Sequence, residues 1–209
     1  KNGECLVRVT ASAPTREKAE EMMAPVIERV KGMFGELAYG MDSANLAEYT
    51  TKLMIERGVT VAAAESCTGG EFTTAITDIP GASATLKGGV VVYTDEAKHK
   101  LLGVPEDLLR DKGAVSYEVA VELARRVREK LGSDFGVGIT GLAGPDGDGV
   151  HEVGTVFISL ADKDRVWVRE KHISHRERAQ VRLYACQNAF DMIRRYLDGY
   201  DVGEIRVDP

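Results

Sequence analysis

One stretch of this 209-residue chain reads Val59-Thr60-Val61-Ala62-Ala63-Ala64-Glu65-Ser66-Cys67-Thr68-Gly69-Gly70. Its apolar half has the length and continuity of a buried β-strand, and its polar half ends in two glycines, which are typical of a tight turn. A buried strand that ends in such a turn and leads into a helix presents backbone N–H groups and a side-chain nucleophile at one point. The stretch therefore predicts an α/β fold and the position of a functional site.

Helices and strands alternate on both sides of this stretch. Periodic apolar patterns predict helices over 46–57, 70–77, 95–102, 106–110, 116–131 and 176–196. Apolar runs predict strands over 59–64, 87–94 and 135–140, and a hairpin of strands 155–161 and 165–174. This order predicts a three-layer α/β/α sandwich with a mostly parallel mixed sheet and the hairpin at one side. In such sheets, ligands bind at the carboxyl ends of the strands.

A smaller α+β segment precedes this domain. A strand is expected over 4–11, a helix from Pro14 onward and a second strand over 36–39. Gly40-Met41-Asp42-Ser43 reads as a linker, so we expect a boundary near residue 42, with domains 1–42 and 43–209. A piece of about forty residues is below the usual size for independent folding. We interpret the chain, which begins at Lys1 inside a strand-like run, as a fragment or processed product.

Composition narrows the function classes. A formal net charge of −6 argues against a general nucleic-acid surface but leaves small anionic ligands open. The three cysteines, Cys5, Cys67 and Cys186, lack metal-site or disulfide-framework spacing and fit a reducing cytoplasm. No apolar run approaches the roughly 18 residues of a membrane helix. We expect a cytoplasmic protein without metal or cofactor that binds neither nucleic acid nor membrane, and that forms a homo-oligomer, with a dimer as the expected state.

Ser66 is the candidate nucleophile, and a serine needs a base to take its proton. The four histidines do not follow the order of a Ser-His-Asp hydrolase. Lys98 follows the next strand and lies one turn into its helix, close to Tyr93 in sequence. A lysine acts as a base when burial or a positive field lowers its pKa toward neutrality. The first N–H groups of the helix at Gly70 are candidate donors to an oxyanion, each worth about 3–4 kcal/mol of barrier.

Each of these residues also has a purely structural interpretation. Thr68 fits a helix N-cap and Gly69-Gly70 a tight turn, and these alone explain the motif equally well. Lys98 fits a solvated helix face, and Tyr93 fits a core aromatic with its hydroxyl at the rim. From spacing alone, the solvated face is the better explanation of Lys98.

Two further sets of residues have competing explanations. Cys67 is an alternative nucleophile, although a small buried thiol is the favoured interpretation. Arg178 and Arg182 lie one turn apart, a spacing that suits a phosphate clamp, and the neighbouring Glu177 makes an exposed ion-pair face equally consistent.

Seven motifs in order resemble the C-terminal domain of the CinA family, the nicotinamide-nucleotide amidases. They lie within residues 43–197, the region that the resemblance covers, and read Ala64-Glu65-Ser66-Cys67-Thr68-Gly69-Gly70, Pro80-Gly81-Ala82-Ser83, Gly88-Gly89-Val90-Val91-Val92-Tyr93-Thr94-Asp95-Glu96-Ala97-Lys98, Leu102-Gly103-Val104-Pro105, Gly113-Ala114-Val115-Ser116, Thr140-Gly141-Leu142-Ala143-Gly144-Pro145 and Val153-Gly154-Thr155-Val156. The resemblance implies a metal-free deamidase of pyridine-nucleotide salvage, which converts nicotinamide mononucleotide to nicotinic acid mononucleotide and ammonia through a Ser-Lys acyl-enzyme.

Residue roles follow from the resemblance. It implies that Ser66 is the nucleophile, Lys98 the base and Tyr93 a polar neighbour. It also implies a substrate-binding set, to which the two arginines are added as phosphate candidates: Thr68, Gly69, Gly70, Thr140, Gly141, Arg178 and Arg182. The loop over 146–152, Thr94-Asp95, Leu142 and the turn over 175–177 depart from the family pattern.

The N-terminal segment also carries a resemblance. Leu6-Val7-Arg8-Val9, Ala24-Pro25-Val26 and Tyr39-Gly40 are similar to the small connecting domain of full-length CinA proteins. The large nucleotide-hydrolysing domain of those proteins has no counterpart in this sequence, so no pyrophosphatase activity is expected from this chain. Two other functions compete with the amidase: a non-catalytic nucleotide-binding or interaction module of a competence or damage-inducible protein, and a serine amidase for another carboxamide.

Overall fold

The computed structural model describes residues 3–203 and 205–207. Within them the helices are α1 Arg16–Phe34, α2 Leu46–Arg57, α3 Glu71–Thr77, α4 Asp95–Leu102, α5 Glu106–Lys112, α6 Tyr117–Leu131 and α7 Arg178–Leu197. The strands are β1 Val61–Glu65, β2 Leu86–Val91, β3 Phe135–Gly141, β4 Thr155–Ala161, β5 Val166–His172 and β6 Ile205–Val207. The helices and strands predicted between residues 46 and 196 all form, with small shifts at their ends.

The strands of the described chain form one mixed sheet in the order β2-β1-β3-β4-β5-β6. β1 pairs in parallel with β2 and β3, whereas the other three pairings are antiparallel. The expected hairpin is confirmed as β4 and β5. The antiparallel side is larger than expected, because β6 adds a strand that bonds the outer edge of β5, an edge otherwise left unpaired. The carboxyl ends of β1, β2 and β3 meet at one edge of the sheet.

Helices cover both faces of the sheet, which confirms the three-layer α/β/α sandwich. On one face, α2, α3 and α7 enclose a core that contains Met54, Phe72 and Phe190. On the other face, α4, α5 and α6 enclose Leu102, Leu109 and Leu123. The side chains of β1 alternate between these two cores, and the whole strand is buried. This burial on both faces explains why the strand is a continuous apolar run rather than an alternating one.

Helix α6 lies directly on β3, and two glycines of the strand permit that approach. A Cβ atom added at Gly136 would lie 2.0 Å from the Ala124 carbonyl oxygen. One added at Gly138 would lie 2.7 Å from the Ala120 carbonyl oxygen. Such distances are far below van der Waals contact, so only glycine fits under the helix backbone. This close approach holds β3 against α6 and thereby fixes the position of the residues at the carboxyl end of β3.

The N-terminal segment differs from the expectation. The predicted helix is confirmed as α1, but neither the strand over 4–11 nor the strand over 36–39 forms, and Gly35–Leu37 is a 3₁₀ turn. A strand needs a partner for its backbone groups, and within the described residues none lies beside these segments. Helix α1 has no buried residue. The segment bonds the main domain at two places: the Leu46 N–H donates to the Glu4 carboxylate at 2.6 Å, and Glu36 pairs with Arg195 of α7.

Candidate active site

The turn after β1 places Ser66 between two neighbouring strands. Ser66 is 7% exposed, and its backbone N–H donates to the Ile139 carbonyl oxygen of β3 at 2.9 Å. Since β3 is parallel to β1, this bond holds Ser66 at the edge where the strand ends meet. The serine hydroxyl is thereby presented to the cleft from a fixed backbone.

Glu65 fills the N-terminus of α3, a feature that the sequence analysis missed. Its buried carboxylate accepts the backbone N–H groups of Gly70, Phe72 and Thr73 at 2.9, 3.1 and 2.9 Å. A carboxylate is well placed at the positive end of a helix. The expectation that the first N–H groups of this helix receive an oxyanion is therefore wrong, because Glu65 already binds them. An acidic residue at the end of an apolar strand was the available signal.

Two N–H groups of the turn remain for that task. In the part of the chain that the structure describes, the backbone N–H groups of Cys67 and Thr68 donate to no other residue, whereas that of Gly69 donates to the Ser66 carbonyl oxygen at 3.1 Å. The buried Thr68 hydroxyl likewise has no partner among the described residues. Gly69 and Gly70 have positive φ angles of 63° and 95°. The turn itself therefore requires glycine at both positions.

Lys98 points inward rather than into solvent. The Thr94 hydroxyl caps α4 by accepting the Ala97 N–H at 3.1 Å, and one turn later Lys98 is 1% exposed. Its Nζ atom lies 3.5 Å from the Ser66 Oγ atom and 3.7 Å from the Asp95 Oδ1 atom. The solvated-face interpretation of Lys98 is wrong. The structure brings the expected base to the expected nucleophile, at the long end of hydrogen-bond distance that is common before substrate binds.

Burial shifts the pKa values of Lys98 and Cys67 in opposite directions, and in both cases it favours the uncharged form. It lowers the pKa of Lys98 from its ordinary value, with the Asp95 carboxylate opposing the change. A lowered pKa enlarges the neutral fraction that acts as a base. Burial raises the pKa of Cys67 to about 12, so that side chain is a protonated thiol near neutral pH. Cys67 accordingly packs as a small apolar group and is a poor nucleophile.

Arg178 and Tyr93 close one side of the cleft together. The Arg178 guanidinium donates to the Gly144 carbonyl oxygen at 2.6 Å and to the Tyr93 hydroxyl at 2.8 Å. Tyr93 is 56% exposed, which excludes the interpretation as a core aromatic. Arg178 is the first residue of α7, so a positive side chain and a helix N-terminus lie at the same rim.

Arg182 occupies a different position from Arg178. Its guanidinium donates twice to the Thr68 carbonyl oxygen, at 2.7 and 3.2 Å, and lies 3.3 Å from the Glu71 carboxylate. It does not line the cleft. Arg182 therefore braces the turn after Ser66 from outside. The spacing of the two arginines gave no means of separating these positions.

Thr140 and Gly141 form the opposite wall through their backbone. The Thr140 hydroxyl donates to the Ala114 carbonyl oxygen at 2.7 Å, which uses its one proton. A Cβ atom at Gly141 would lie 2.4 Å from the Val156 Cγ1 atom, so this glycine is required by the neighbouring β4. Both residues line the cleft.

These residues surround a cleft of about 240 Å³. Its lining contains six of the predicted site residues, which are Ser66, Tyr93, Lys98, Thr140, Gly141 and Arg178. Thr68, Gly69, Gly70 and Arg182 stand behind the turn and do not line it. The sequence analysis missed Ala114, Val115, Gly144 and Asp146 as lining residues. Their motifs were noticed, but nothing in their spacing indicated that the loops after β3 and before α6 meet.

Two kinds of feature are absent from residues 3–203 and 205–207. No group of three or more His, Cys, Asp or Glu side chains in that part of the chain is placed to hold a metal ion. None of the helices described there combines the length and apolar character that crossing a membrane requires.

Comparison with known proteins places the chain in a family. Residues 43–197 match the family model described as the CinA C-terminal domain, and residues 1–40 match that of the damage-inducible protein CinA KH domain. A CinA-like protein of Desulfovibrio desulfuricans is 42% identical over 96% of this chain and 48% of its own length. One of Dictyoglomus turgidum is 36% identical over 94% of this chain and 48% of its own length. The chain thus spans about half the length of these curated relatives.

Solved structures agree with the sequence relatives. The competence/damage inducible protein CihA from Agrobacterium tumefaciens is 32% identical, with a TM-score of 0.70 over 76% of this chain and 99% of that one. A CinA superfamily protein from Klebsiella pneumoniae is 26% identical, with a TM-score of 0.70 over 74% of this chain and 97% of that one. With the family model covering most of the sequence and the same fold in these neighbours, the chain belongs to the CinA family.

Proposed function

We propose that this chain is an amidase that converts nicotinamide mononucleotide to nicotinic acid mononucleotide and ammonia. The observation that carries the proposal is the buried Lys98 amine, 3.5 Å from the Ser66 hydroxyl, in a cleft with the Arg178 guanidinium at its rim. A serine beside a desolvated lysine suits nucleophilic attack on an amide. A cationic rim suits a substrate that carries a phosphate.

The chemistry divides into two acyl-transfer steps. In the first, neutral Lys98 takes the Ser66 proton while Oγ bonds to the carboxamide carbon. The resulting ammonium then protonates the amide nitrogen as its bond to carbon breaks, which releases ammonia and leaves an ester on Ser66. In the second step, Lys98 takes a proton from water, the resulting hydroxide oxygen attacks the ester, and the proton returns to Ser66 as the carboxylic acid product leaves. Lys98 and Ser66 end in their starting protonation states.

The oxyanion of each tetrahedral intermediate needs donors that are not otherwise bonded. We assign this role to the N–H groups of Cys67 and Thr68, which donate to no other residue among those that the structure describes. They lie in the same turn as Ser66, so charge that develops on the carbonyl oxygen forms beside them. Glu65 and Arg182 support this arrangement by fixing the two ends of the turn.

The substrate phosphate is assigned to Arg178 rather than to Arg182. Arg178 lines the cleft and retains donor capacity beyond its two bonds, because a guanidinium carries five N–H groups. Arg182 is held behind the turn by Thr68 and Glu71. Tyr93 keeps the Arg178 guanidinium at the rim and presents its own ring to the cleft.

Ammonia release tests the proposal directly. The chain is incubated with nicotinamide mononucleotide, and with nicotinamide riboside, which lacks the phosphate. We expect ammonia from the nucleotide and a much slower release from the riboside. Binding of the nucleotide without any ammonia would favour the non-catalytic interaction module, and equal rates on both compounds would favour a broader serine amidase.

Cytoplasmic location and a homodimer belong to the same proposal. A free nucleotide substrate and three unpaired cysteines both fit a reducing compartment. Light scattering on the purified chain measures its mass in solution, and a value of twice the 22.7 kDa monomer is expected.

A further inference from the structure

Asp95 lies beside the buried amine of Lys98. It is the first residue of α4 and lies three positions before Lys98, so the two side chains share one helix face. Its Oδ1 atom is 3.7 Å from Nζ, and its side chain is 58% exposed, whereas that of Lys98 is 2% exposed. The carboxylate therefore reaches the buried amine from the solvent side.

We propose that Asp95 is a positioning residue for Lys98, which directs the amine toward Ser66 and stabilises the ammonium that forms when Ser66 loses its proton. The proposal rests on the amidase function given above. It gives a role in the reaction to an acidic side chain that lies outside the sequence motif around Ser66.

The other titratable groups and the nucleophile that line the cleft with Lys98 do not supply this charge. They come from the turn after β1, from the end of β2, and from α7 with the loop after β3, and they are Ser66, Cys67, Tyr93, Arg178 and Asp146. The Cys67 thiol, with a pKa of about 12, is uncharged, and Arg178 is bonded to Tyr93 and Gly144. Of the carboxylates in the described residues, Asp95 is the one within ion-pair distance of Nζ.

The charge of Asp95 has two opposite effects on the reaction. It favours the ammonium form of Lys98, so a smaller fraction of the enzyme is ready to act as a base at neutral pH. It also makes the neutral amine a stronger base and steadies the ammonium in the transition state, which speeds the reaction once Lys98 is deprotonated. Removing the charge should therefore help at low pH and harm at high pH.

Asp95→Asn isolates the charge, because an amide keeps the size of the side chain and one oxygen acceptor. The pH profile of kcat for ammonia release is compared in the wild type and this variant. We expect the acidic limb to move to lower pH by about one unit, the small end for an opposite charge at this distance because water screens Asp95. The high-pH plateau should fall by about threefold, because the rate of proton transfer reflects only part of the change in the basicity of the amine. Glu96→Gln is the matched control, since Glu96 pairs with exposed Lys100 on the same helix.

A second measurement reports on Lys98 without turnover. Lysine labelled with ¹³C at Cε gives one NMR signal for each lysine, and the signal lost in Lys98→Ala identifies Lys98. Its titration should move to lower pH by about one unit in Asp95→Asn and stay in place in Glu96→Gln. This titration distinguishes the two proposals, because it reads the Asp95 effect even in a chain that releases no ammonia, a result that would overturn the amidase function instead.

An unchanged titration of Lys98 in Asp95→Asn would overturn the role of Asp95. A kcat that falls by the same factor at every pH would overturn it as well, because the loss of a merely structural residue lowers the rate without moving the acidic limb of the pH profile.

Discussion

At the residue scale, the proposed reaction depends on two side chains that act as a unit. Ser66→Ala and Lys98→Ala should each lower kcat for ammonia release by about 10³-fold or more, because loss of either partner disables the same step. Lys100→Ala is the matched control, since Lys100 lies on the same helix but pairs with Glu96 in solvent. Far-UV circular dichroism checks that the variants keep the fold. A Ser66→Ala chain with near-normal turnover would remove Ser66 as nucleophile.

The two arginines give a second test at this scale. Arg178→Ala should raise KM for nicotinamide mononucleotide by about 10- to 100-fold with a smaller change in kcat, since it removes a charged bond worth about 1.5–3 kcal/mol. Arg182→Ala should instead lower kcat, because it loosens the turn that carries Ser66. Steady-state kinetics on the two variants separates these effects. The reverse pattern would exchange the assigned roles.

Individual residues also show where sequence reasoning reached its limit. Ser66, Lys98 and Tyr93 lie at or just after the carboxyl ends of predicted strands, which indicated that they could meet at one edge. Position alone favoured a solvated face for Lys98, and its role as a base was predicted from the resemblance to the CinA family. The hydrogen bonds between the Glu65 carboxylate and the N-terminus of α3 were not predicted, because predicting them requires knowing that the buried strand continues to Glu65. Arg178 and Arg182 lie on one helix face, so only the packing of α7 decides which of them reaches the cleft.

At the element scale, replacing glycine with alanine should have opposite effects on stability in β3, which packs against α6, and in the exposed helix α1. Gly138→Ala should lower the free energy of unfolding by about 2 kcal/mol or more, since its Cβ would meet Ala120, Ala124 and Ser159 within 2.8 Å. Gly32→Ala in α1 should raise it by about 0.5–1 kcal/mol, because nothing lies within 4 Å and alanine favours the helix. Urea unfolding measures both. Equal changes in the two variants would contradict the packing described for α6.

The main-domain elements were predictable because their apolar patterns are long and their ends carry strong signals. Gly58, Gly103 and Gly132 end helices in the left-handed conformation, as a helix followed by glycine predicts. The segment before residue 43 was less predictable, since alternation over 4–11 indicates a strand only where a partner strand exists. The extra antiparallel strand β6 lies after the last helix, where the sequence analysis assigned no element.

At the scale of the whole molecule, the site lies entirely within 43–209, and the proposed boundary near residue 42 can be tested by removing what precedes it. A shortened chain beginning at Ser43 should keep ammonia release. Its free energy of unfolding should fall by about 1–2 kcal/mol, because contacts such as Glu4 to the Leu46 N–H and Glu36 to Arg195 are lost. Loss of the folded spectrum on shortening would contradict the boundary.

The central claim is that Ser66 becomes acylated during turnover, and mass spectrometry tests it most directly. The chain is mixed with nicotinamide mononucleotide, quenched in acid within the steady state, digested and analysed. We expect the acyl group of the nucleotide on the peptide that carries Ser66, and we expect it to be missing in Ser66→Ala. An acyl group found on Cys67 during turnover would contradict the claim. Turnover with no acylated peptide at any quench time, in a protein whose Ser66→Ala variant stays active, would contradict it as well.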